Sequence, residues 1–316
     1  MLTHRYKTIF YNLLLRNPFR NNKFPFKNKI SRCVNKPGFP IKTKLHGKSA
    51  VIPSGYGYPF TCRQFPDFNN PLLELAWQTF QIKKEKLTII DAGAAIGDTL
   101  YLLKQNLPPG SSKIYCIEGD EGFMKYLAEN AEHFGENAKV IKEVLSSQEE
   151  MIPELVHHHS SSLIAKGEKK ITALPLDKVW ETEINQPPDI LKTDLEGYDG
   201  KAIAGASKLL RQYSPSVIFE FHPQLIKQTG NDMMEAFDVL AGTGYEQLLW
   251  FSKYGEFISQ TSLTDNKYIQ EMIRQSLDAG EKEDIHFDLI APGKRNAPDT
   301  KKLAQCCYAK TKKYPY

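Results

Sequence analysis

Two hydrophobic periodicities alternate along the middle of the chain, and their order predicts an α/β fold. Short apolar runs bounded by turn residues are typical of buried strands, whereas apolar residues every three or four positions are typical of amphipathic helices. The predicted strands are residues 87–91, 113–118, 140–145, 189–194, 216–221, 245–251 and 285–291. The predicted helices are residues 72–82, 97–106, 121–134, 199–212, 232–241 and 266–277.

Strands that alternate with helices in this way favour a doubly wound, mostly parallel sheet. We therefore expect a Rossmann-like sheet of seven strands. No strong crossover signal joins the last two strands, which predicts an antiparallel edge strand, and residues 256–258 are a candidate hairpin partner for 245–251. Residues 50–61 resemble strands around a Gly-Tyr-Gly turn, and residues 17–48 look irregular. The polar residues 146–170 show no pattern that assigns them to a helix or a strand.

Charge divides the chain into three parts. The chain has 316 residues and a formal net charge of +4, but residues 1–66 contain thirteen Lys or Arg and no acid. We therefore predict a basic N-terminal extension (1–66), a globular domain (67–294) and a loose basic tail (295–316). We favour a role for the extension in packing on the acidic domain and shaping a substrate site. The alternatives are a membrane surface, contacted through a helix with Tyr6, Phe10 and Leu14, and nucleic acid, for which no motif is present.

Cysteine content and hydropathy indicate the cellular compartment that we expect for this protein. Five cysteines without a C-x-x-C pair favour a reducing, cytoplasmic compartment over a disulfide framework or a zinc site. No apolar run approaches the length of a membrane span, and Asn12 and Arg16 interrupt the N-terminal apolar patch that a signal peptide would need. The sequence does not indicate an oligomeric state.

Residues 87–118 read as strand, tight turn, helix and strand, with an acid at the tip of each strand. Asp91 ends the first strand, Glu118 ends the second, and Gly93 and Gly97 lie in the turn between. Such a unit builds a nucleotide pocket at the carboxyl edge of a parallel sheet. The expected reason for the glycines is that a Cβ there would obstruct a ligand close to the backbone. A carboxylate at Glu118 can accept both hydroxyls of a ribose.

The turn favours S-adenosylmethionine (SAM) over a dinucleotide. A dinucleotide site prefers G-x-G-x-x-G, whose central glycine lets a pyrophosphate touch the backbone. Ala95 stands at that central position, and SAM, which has no phosphate, does not need a glycine there. SAM also carries a sulfonium and an amino group that suit acidic neighbours. An NAD(P)-dependent oxidoreductase remains the first alternative.

A second group of polar residues ends the strands of residues 188–222. Asp194 and Glu196 follow the strand 189–194, and Glu220 and His222 end the next one. The carboxyl ends of parallel strands meet at one edge, so these side chains should share a crevice with the Gly93 turn.

Five ordered motifs make the chain resemble the FkbM-type SAM-dependent methyltransferases. They are D-A-G-A-A-I-G at 91–97, I-E-G-D at 117–120, L-P-L-D at 174–177, I-L-K-T-D-L-E-G-Y-D at 190–199 and I-F-E-F-H at 218–222. The resemblance spans about residues 69–291. It implies a class I methyltransferase fold, SAM as cofactor and, usually, O-methylation of a small-molecule or sugar-containing acceptor. Ala94 stands where the family usually has Asn, which removes a polar contact, and Asp120 and Asp199 also depart from the usual pattern.

Candidate roles follow from the motifs and from the chemistry of methyl transfer. An alcohol acceptor must lose its proton as the new bond forms, and the candidate bases are Asp194, Glu196 and His222. The candidate cofactor-binding residues are Asp91, Gly93, Ala94, Gly97, Glu118, Gly119 and Ser146. Asp194 could instead hold the cofactor amino group, and His222 could simply end its strand. No ligand set for a metal is evident, and the run His157-His158-His159 favours a solvated loop.

The sequence therefore predicts a SAM-dependent O-methyltransferase. Beside the oxidoreductase, a second alternative is a catalytically silent SAM-fold module that binds RNA or a membrane through the basic extension.

Overall fold

The computed structural model describes residues 8–9, 11–12, 40–153, 155–158, 161–164 and 170–305. Tyr6, Phe10 and Leu14, with most of the basic extension and residues 306–316, lie outside the described residues. In the described part of the chain, none of the helices has the length and apolar character needed to cross a membrane.

The elements up to residue 146 begin with a hairpin and two helices and continue into the sheet. They are β1 (Pro40–Leu45), β2 (Lys48–Pro53), α1 (Tyr58–Gln64), α2 (Asn70–Lys83), β3 (Leu87–Ala92), α3 (Asp98–Asn106), β4 (Ser112–Ile117), α4 (Glu121–Ala131), a 3₁₀ helix (Glu132–Asn137), β5 (Ala138–Ile141) and β6 (Leu145–Ser146).

The remaining elements form a small antiparallel region and the second half of the sheet. They are β7 (Glu150–Pro153), β8 (Leu155–His158), β9 (Ser161–Ile164), β10 (Lys170–Pro175), α5 (Leu176–Val179), a π-helical turn (Trp180–Ile184), β11 (Ile190–Thr193), α6 (Asp199–Ala204), α7 (Ser207–Tyr213), β12 (Ser216–Phe221), α8 (Pro223–Thr229), α9 (Glu235–Gly242), β13 (Gln247–Ser252), β14 (Phe257–Ser262), α10 (Asn266–Glu283), β15 (Phe287–Ala291) and α11 (Thr300–Gln305).

The central sheet confirms the predicted α/β class. Its described strands lie in the order β14-β13-β15-β12-β11-β3-β4-β5. The five strands from β12 to β5 are parallel, because each neighbouring pair among them is parallel. The carboxyl ends of β3, β4, β11 and β12 therefore meet at one edge.

The antiparallel part contains the predicted antiparallel edge strand and one strand more than the predicted seven. The described sheet has eight strands, because residues 257–262 pair with β13 as a full strand and form its edge, β14. A second antiparallel strand, β15, lies inside the sheet between β12 and β13.

Apolar residues cover both faces of this sheet, as a doubly wound fold requires. One cluster packs side chains of β11, β12 and β13 against α6, α7 and α9, with Phe219, Phe237 and Trp250 among its members. The opposite cluster packs α2, α3 and α4 through residues such as Leu75, Leu103 and Leu127. Helices α2 and α4 therefore lie across the sheet from α6 and α9.

A third apolar cluster attaches the N-terminal segment to the domain. The β1–β2 hairpin places Ile41, Val51 and Ile52 against Tyr101 and Phe123 of α3 and α4. The hairpin turn contains His46 and Gly47, whereas the predicted turn was Gly-Tyr-Gly at 55–57, which instead precedes α1. The actual turn is a two-residue loop in which both His46 and Gly47 have positive φ, the backbone that tight hairpins favour.

The described end of the chain, residues 295–305, packs on the domain. Leu303 of α11 is buried, and Arg295 and Asn296 contact the Asp189 carboxylate. The prediction of a loose tail from residue 295 is thus not met for these residues.

Candidate active site

A cavity of about 280 Å³ opens at the carboxyl edge of the sheet. Its floor comes from the loops after β3, β4 and β11, and its opposite wall comes from the segment between β2 and α2. The lining residues are Tyr56, Gly57, Tyr58, Thr61, Phe68, Gly93, Ala95, Asp98, Ile117, Glu118, Gly119, Phe123, Glu143, Val144, Leu145, Ile152, Asp194, Leu195, Glu196 and Tyr198.

Glu118 is a buried carboxylate that receives two backbone hydrogen bonds. Its Oε2 accepts from the Ala95 N–H at 2.8 Å and its Oε1 from the Asp120 N–H at 2.7 Å. Burial raises the pKa of Glu118 to about 7, although the backbone donors oppose the shift. The turn after β3 and the tip of β4 are therefore linked through this one side chain.

Asp91, Lys192 and Asp194 form an ion-paired group below and beside the cavity. Lys192 Nζ lies 3.0 Å from Asp91 Oδ1 and 3.5 Å from Asp194 Oδ2. Asp91 is fully buried, whereas Asp194 is partly exposed and lines the cavity. Burial by itself lowers the pKa of Lys192, but the neighbouring aspartates raise it above its ordinary value, so the ammonium stays charged.

The glycines of the turn have a structural reason within the protein itself. Gly93 has φ +82°, and a Cβ there would overlap the backbone carbonyl of Asp194. Gly97 has φ +88°, and a Cβ there would lie 3.1 Å from Leu127. Both positions favour glycine because the backbone is left-handed and neighbouring residues pack closely.

Tyr56 and Asp98 are cavity residues that the sequence interpretation missed. The Tyr56 hydroxyl donates to Asp98 Oδ2 at 2.5 Å, and both residues line the cavity. Burial raises the pKa of Asp98 to about 6. The position of Asp98 next to Gly97 was a usable signal, because it is an acid in the first turn of a helix that begins at the pocket. Nothing local to Tyr56 marks it.

His222 lies outside the cavity. Its Nε2 is 2.9 Å from Asp284 Oδ1, its Nδ1 accepts a long hydrogen bond from the Leu225 N–H at 3.4 Å, and its ring stacks on His286. His222, Asp284 and His286 place possible metal-ligating atoms within 4.8 Å of one another. Lys253 Nζ, however, already lies 2.9 Å from the second Asp284 oxygen. Of the three candidate bases, Asp194 and Glu196 line the cavity and His222 does not.

The other predicted residues divide between the cavity and its surroundings. Gly119 and Glu196 line the cavity with Gly93, Glu118 and Asp194. Ala94 is buried and its N–H donates to the Ile117 carbonyl. Ser146 is buried and its hydroxyl bonds to Glu150, while the preceding residues 143–145 line the cavity. Ala94, Gly97, Asp91 and Ser146 thus support the cavity from behind.

Two residues of the histidine run lie in a short antiparallel hairpin. His157 and His158 belong to β8, whose backbone pairs with β9, and His159 lies outside the described residues. The prediction of a loop at this run is therefore wrong for its two described residues. Ile152 of the preceding strand β7 lines the cavity.

Comparison with known proteins identifies the domain. The family model described as "Methyltransferase FkbM domain" matches residues 70–247. A solved FkbM methyltransferase from Methylobacillus flagellatus KT is similar at 18% identity and a TM-score of 0.37, over 51% of this chain and 39% of that one. An O-methyltransferase from Bacillus cereus in complex with S-adenosylhomocysteine (SAH) has 12% identity and a TM-score of 0.39, over 71% and 80% of the two chains.

No curated protein matches the chain significantly, and the chain spans 39% of the length of the Methylobacillus structure. The family model covers more than half of the 316 residues and includes the β3 turn, Glu118 and the Asp194 loop. The chain therefore belongs to the FkbM methyltransferase domain family.

Proposed function

We propose that this protein uses SAM to methylate a hydroxyl oxygen of a small-molecule or glycan-type acceptor. The observation that carries the proposal is the cavity that two carboxylates of the FkbM domain, Glu118 and Asp194, line together. SAM supplies an electrophilic methyl group on sulfur when it is bound. The lining fits such a cofactor, because its carboxylates suit a cationic ligand that is rich in hydrogen-bond donors.

Each carboxylate has a separate task in this proposal. Glu118 is already fixed by two backbone donors, so its remaining lone pairs can accept the hydroxyls of a ribose. Asp194 and Glu196 line the cavity on the loop after β11 and are the proposed proton acceptors for the acceptor hydroxyl. Lys192 orients Asp194 from one side.

The aromatic and aliphatic lining contributes by excluding water and aligning the reactants. Methyl transfer is an in-line displacement, so much of the rate enhancement can come from positioning. Tyr58 and Phe68 pack edge to face, with ring centroids 5.8 Å apart, and both line the wall that precedes α2. A rigid wall of this kind suits a substrate that must be held in one orientation.

Calorimetry tests the cofactor. The wild-type protein should bind SAH. The Glu118→Ala variant should bind SAH at least about tenfold more weakly, because a charged hydrogen-bond acceptor is lost from a desolvated site. Binding of NADH without binding of SAH would reject the proposal and favour the oxidoreductase alternative.

Transfer from labelled SAM to a panel of sugars, lipids and hydroxylated metabolites tests the reaction. Asp194→Asn and Glu196→Gln should lower the rate of transfer while SAH affinity changes less. Full turnover in both variants would show that neither carboxylate is the base. Retained turnover in His222→Ala is expected, because His222 lies outside the cavity.

A further inference from the structure

The carboxylates that line the cavity differ in the ion-pair and hydrogen-bond partners that the protein provides for them. Asp194 has an ammonium partner in Lys192. Glu118 has two backbone N–H donors. Asp98 accepts only from uncharged donors, the Tyr56 hydroxyl at 2.5 Å and the Thr99 N–H at 2.7 Å. In the part of the chain that the structure describes, no Lys, Arg or His lies within ion-pair distance of Asp98. Burial raises the pKa of Asp98, and the charge of Lys192 opposes this rise. The Lys192 ammonium, however, is paired directly with Asp91 and Asp194.

A carboxylate in this situation favours a cationic ligand. Removing a negative charge from water is costly unless an opposite charge or several donors replace the lost hydration. Asp98 lines the cavity and is only partly exposed, so a ligand in the cavity can supply that charge. The amino-acid end of SAM and SAH carries an α-ammonium, which is a cation with hydrogen-bond donors.

Tyr56 fixes the carboxylate from outside the matched family domain. It precedes residue 70, where the family match begins, and it reaches Asp98 across 42 positions of sequence. Its own position is held by the Tyr11 hydroxyl, which donates to the Tyr56 carbonyl at 3.3 Å, and by edge-to-face packing on Phe123. The Tyr56 hydroxyl can therefore hold one Asp98 oxygen in place, while other lone pairs of the carboxylate remain available to a ligand in the cavity.

We infer that Asp98 is the group that binds the α-ammonium of the cofactor and that Tyr56 is its positioning residue. This inference rests on the proposed use of SAM. It assigns part of the cofactor site to the N-terminal segment, which lies outside the family match.

The test compares two ligands that differ only at the amino-acid end. SAH carries the α-ammonium, whereas 5′-methylthioadenosine keeps the adenosine and sulfur and lacks the amino acid. In the full chain, Asp98→Asn should weaken the binding of SAH at least about tenfold, because a charged hydrogen bond to the ammonium is lost. The affinity for 5′-methylthioadenosine should stay within about twofold of the wild-type value, because this ligand has no ammonium. Tyr56→Phe should weaken SAH by a smaller factor, again without affecting 5′-methylthioadenosine.

Tyr101→Phe is the matched control. Tyr101 lies on the same helix as Asp98, and its hydroxyl donates to the Ser49 carbonyl outside the cavity lining. This variant removes a phenolic hydroxyl group from the same region and should leave the affinities for both ligands unchanged.

Three results would overturn the inference. Unchanged SAH affinity in Asp98→Asn excludes the ammonium assignment, and an equal loss for both ligands shows that Asp98 has a structural role instead. A loss in Asp98→Asn but none in Tyr56→Phe removes the positioning role of Tyr56. Failure of the proposed function looks different, because wild type then binds neither ligand.

Discussion

Glu118 shows how a single side chain can connect cofactor affinity to pH. The carboxylate is 7% exposed, and burial raises its pKa to about 7. Protonation removes an acceptor that the proposed ribose contact needs. The unliganded protein must therefore lose a proton from Glu118 when the cofactor binds below this pH.

We expect SAH affinity to rise as pH increases through about 7 and to level off above it. Between pH values of about 7 and about 6 the affinity should fall by up to about tenfold per pH unit, which is the limit for one linked proton, and protonation of Asp98 should steepen the fall below about 6. Glu118→Gln should bind more weakly and lose this dependence, so that only the fall associated with Asp98, whose pKa is about 6, remains. Calorimetry at a series of pH values measures both proteins, and identical pH profiles would contradict the assignment to Glu118.

At the scale of elements, the β1–β2 hairpin depends on one buried amide. Asn130 of α4 accepts from the Val51 N–H at 2.8 Å and donates to the Val51 and Ile96 carbonyls at 2.9 Å each. These bonds join strand β2, the turn after β3 and helix α4. They also fix the segment that leads from β2 to Tyr56.

Asn130→Ala should destabilise the protein by about 3 kcal/mol, because it leaves buried backbone groups of Val51 and Ile96 without partners. Hydrogen exchange at the Val51 amide should accelerate by more than the global loss of stability requires. Urea denaturation and exchange measured by NMR check the two effects.

Asn106→Ala provides the comparison. That amide donates to the Leu102 carbonyl of its own helix at a half-buried position, so its loss should cost about 1 kcal/mol or less. Equal losses in the two variants would show that the amide of Asn130 does not secure the hairpin.

At the scale of the whole molecule, Asp189 joins three distant parts of the chain. Its fully buried carboxylate pairs with Lys83 at 2.7 Å, accepts from the Thr88 N–H at 2.8 Å and from Asn296 at 2.9 Å, and lies 3.3 Å from Arg295. The end of α2, the start of β3 and the segment after β15 therefore meet at the amino end of β11. This group lies at the opposite end of the strands from the cavity.

Asp189→Ala should lower the free energy of unfolding by about 3 kcal/mol, because it removes a fully buried carboxylate that the Thr88 N–H and the Lys83, Arg295 and Asn296 side chains share. Denaturant titration measures the loss. Glu183→Ala is the control, since its ion pair with Lys139 is largely exposed and should contribute about 1 kcal/mol or less. A loss in Asp189→Ala as small as in the control would mean that the three segments are held together by other contacts.

Features that depend only on neighbouring residues could be predicted from the order of the amino acids. Strand Ser216–Phe221 has the predicted bounds, and Asp120 caps α4 as expected, accepting from the Phe123 N–H. Apolar periodicity and capping act within a few residues, so they can be identified without knowing the fold. The shared edge for Glu118 and Asp194 followed as well, because parallel strands place their carboxyl ends together.

Which side chains meet in the site depends on long-range packing and could not be predicted from the sequence patterns. His222 ends a strand at the predicted edge, yet its ring turns to Asp284 and away from the cavity. Tyr56 reaches Asp98 because the hairpin packs on α3 and α4. Strand β15 lies inside the sheet because it pairs with both β12 and β13, which are separate from it in sequence. These contacts join segments far apart in sequence. Their geometry depends on the path and packing of the whole chain, which no local pattern records.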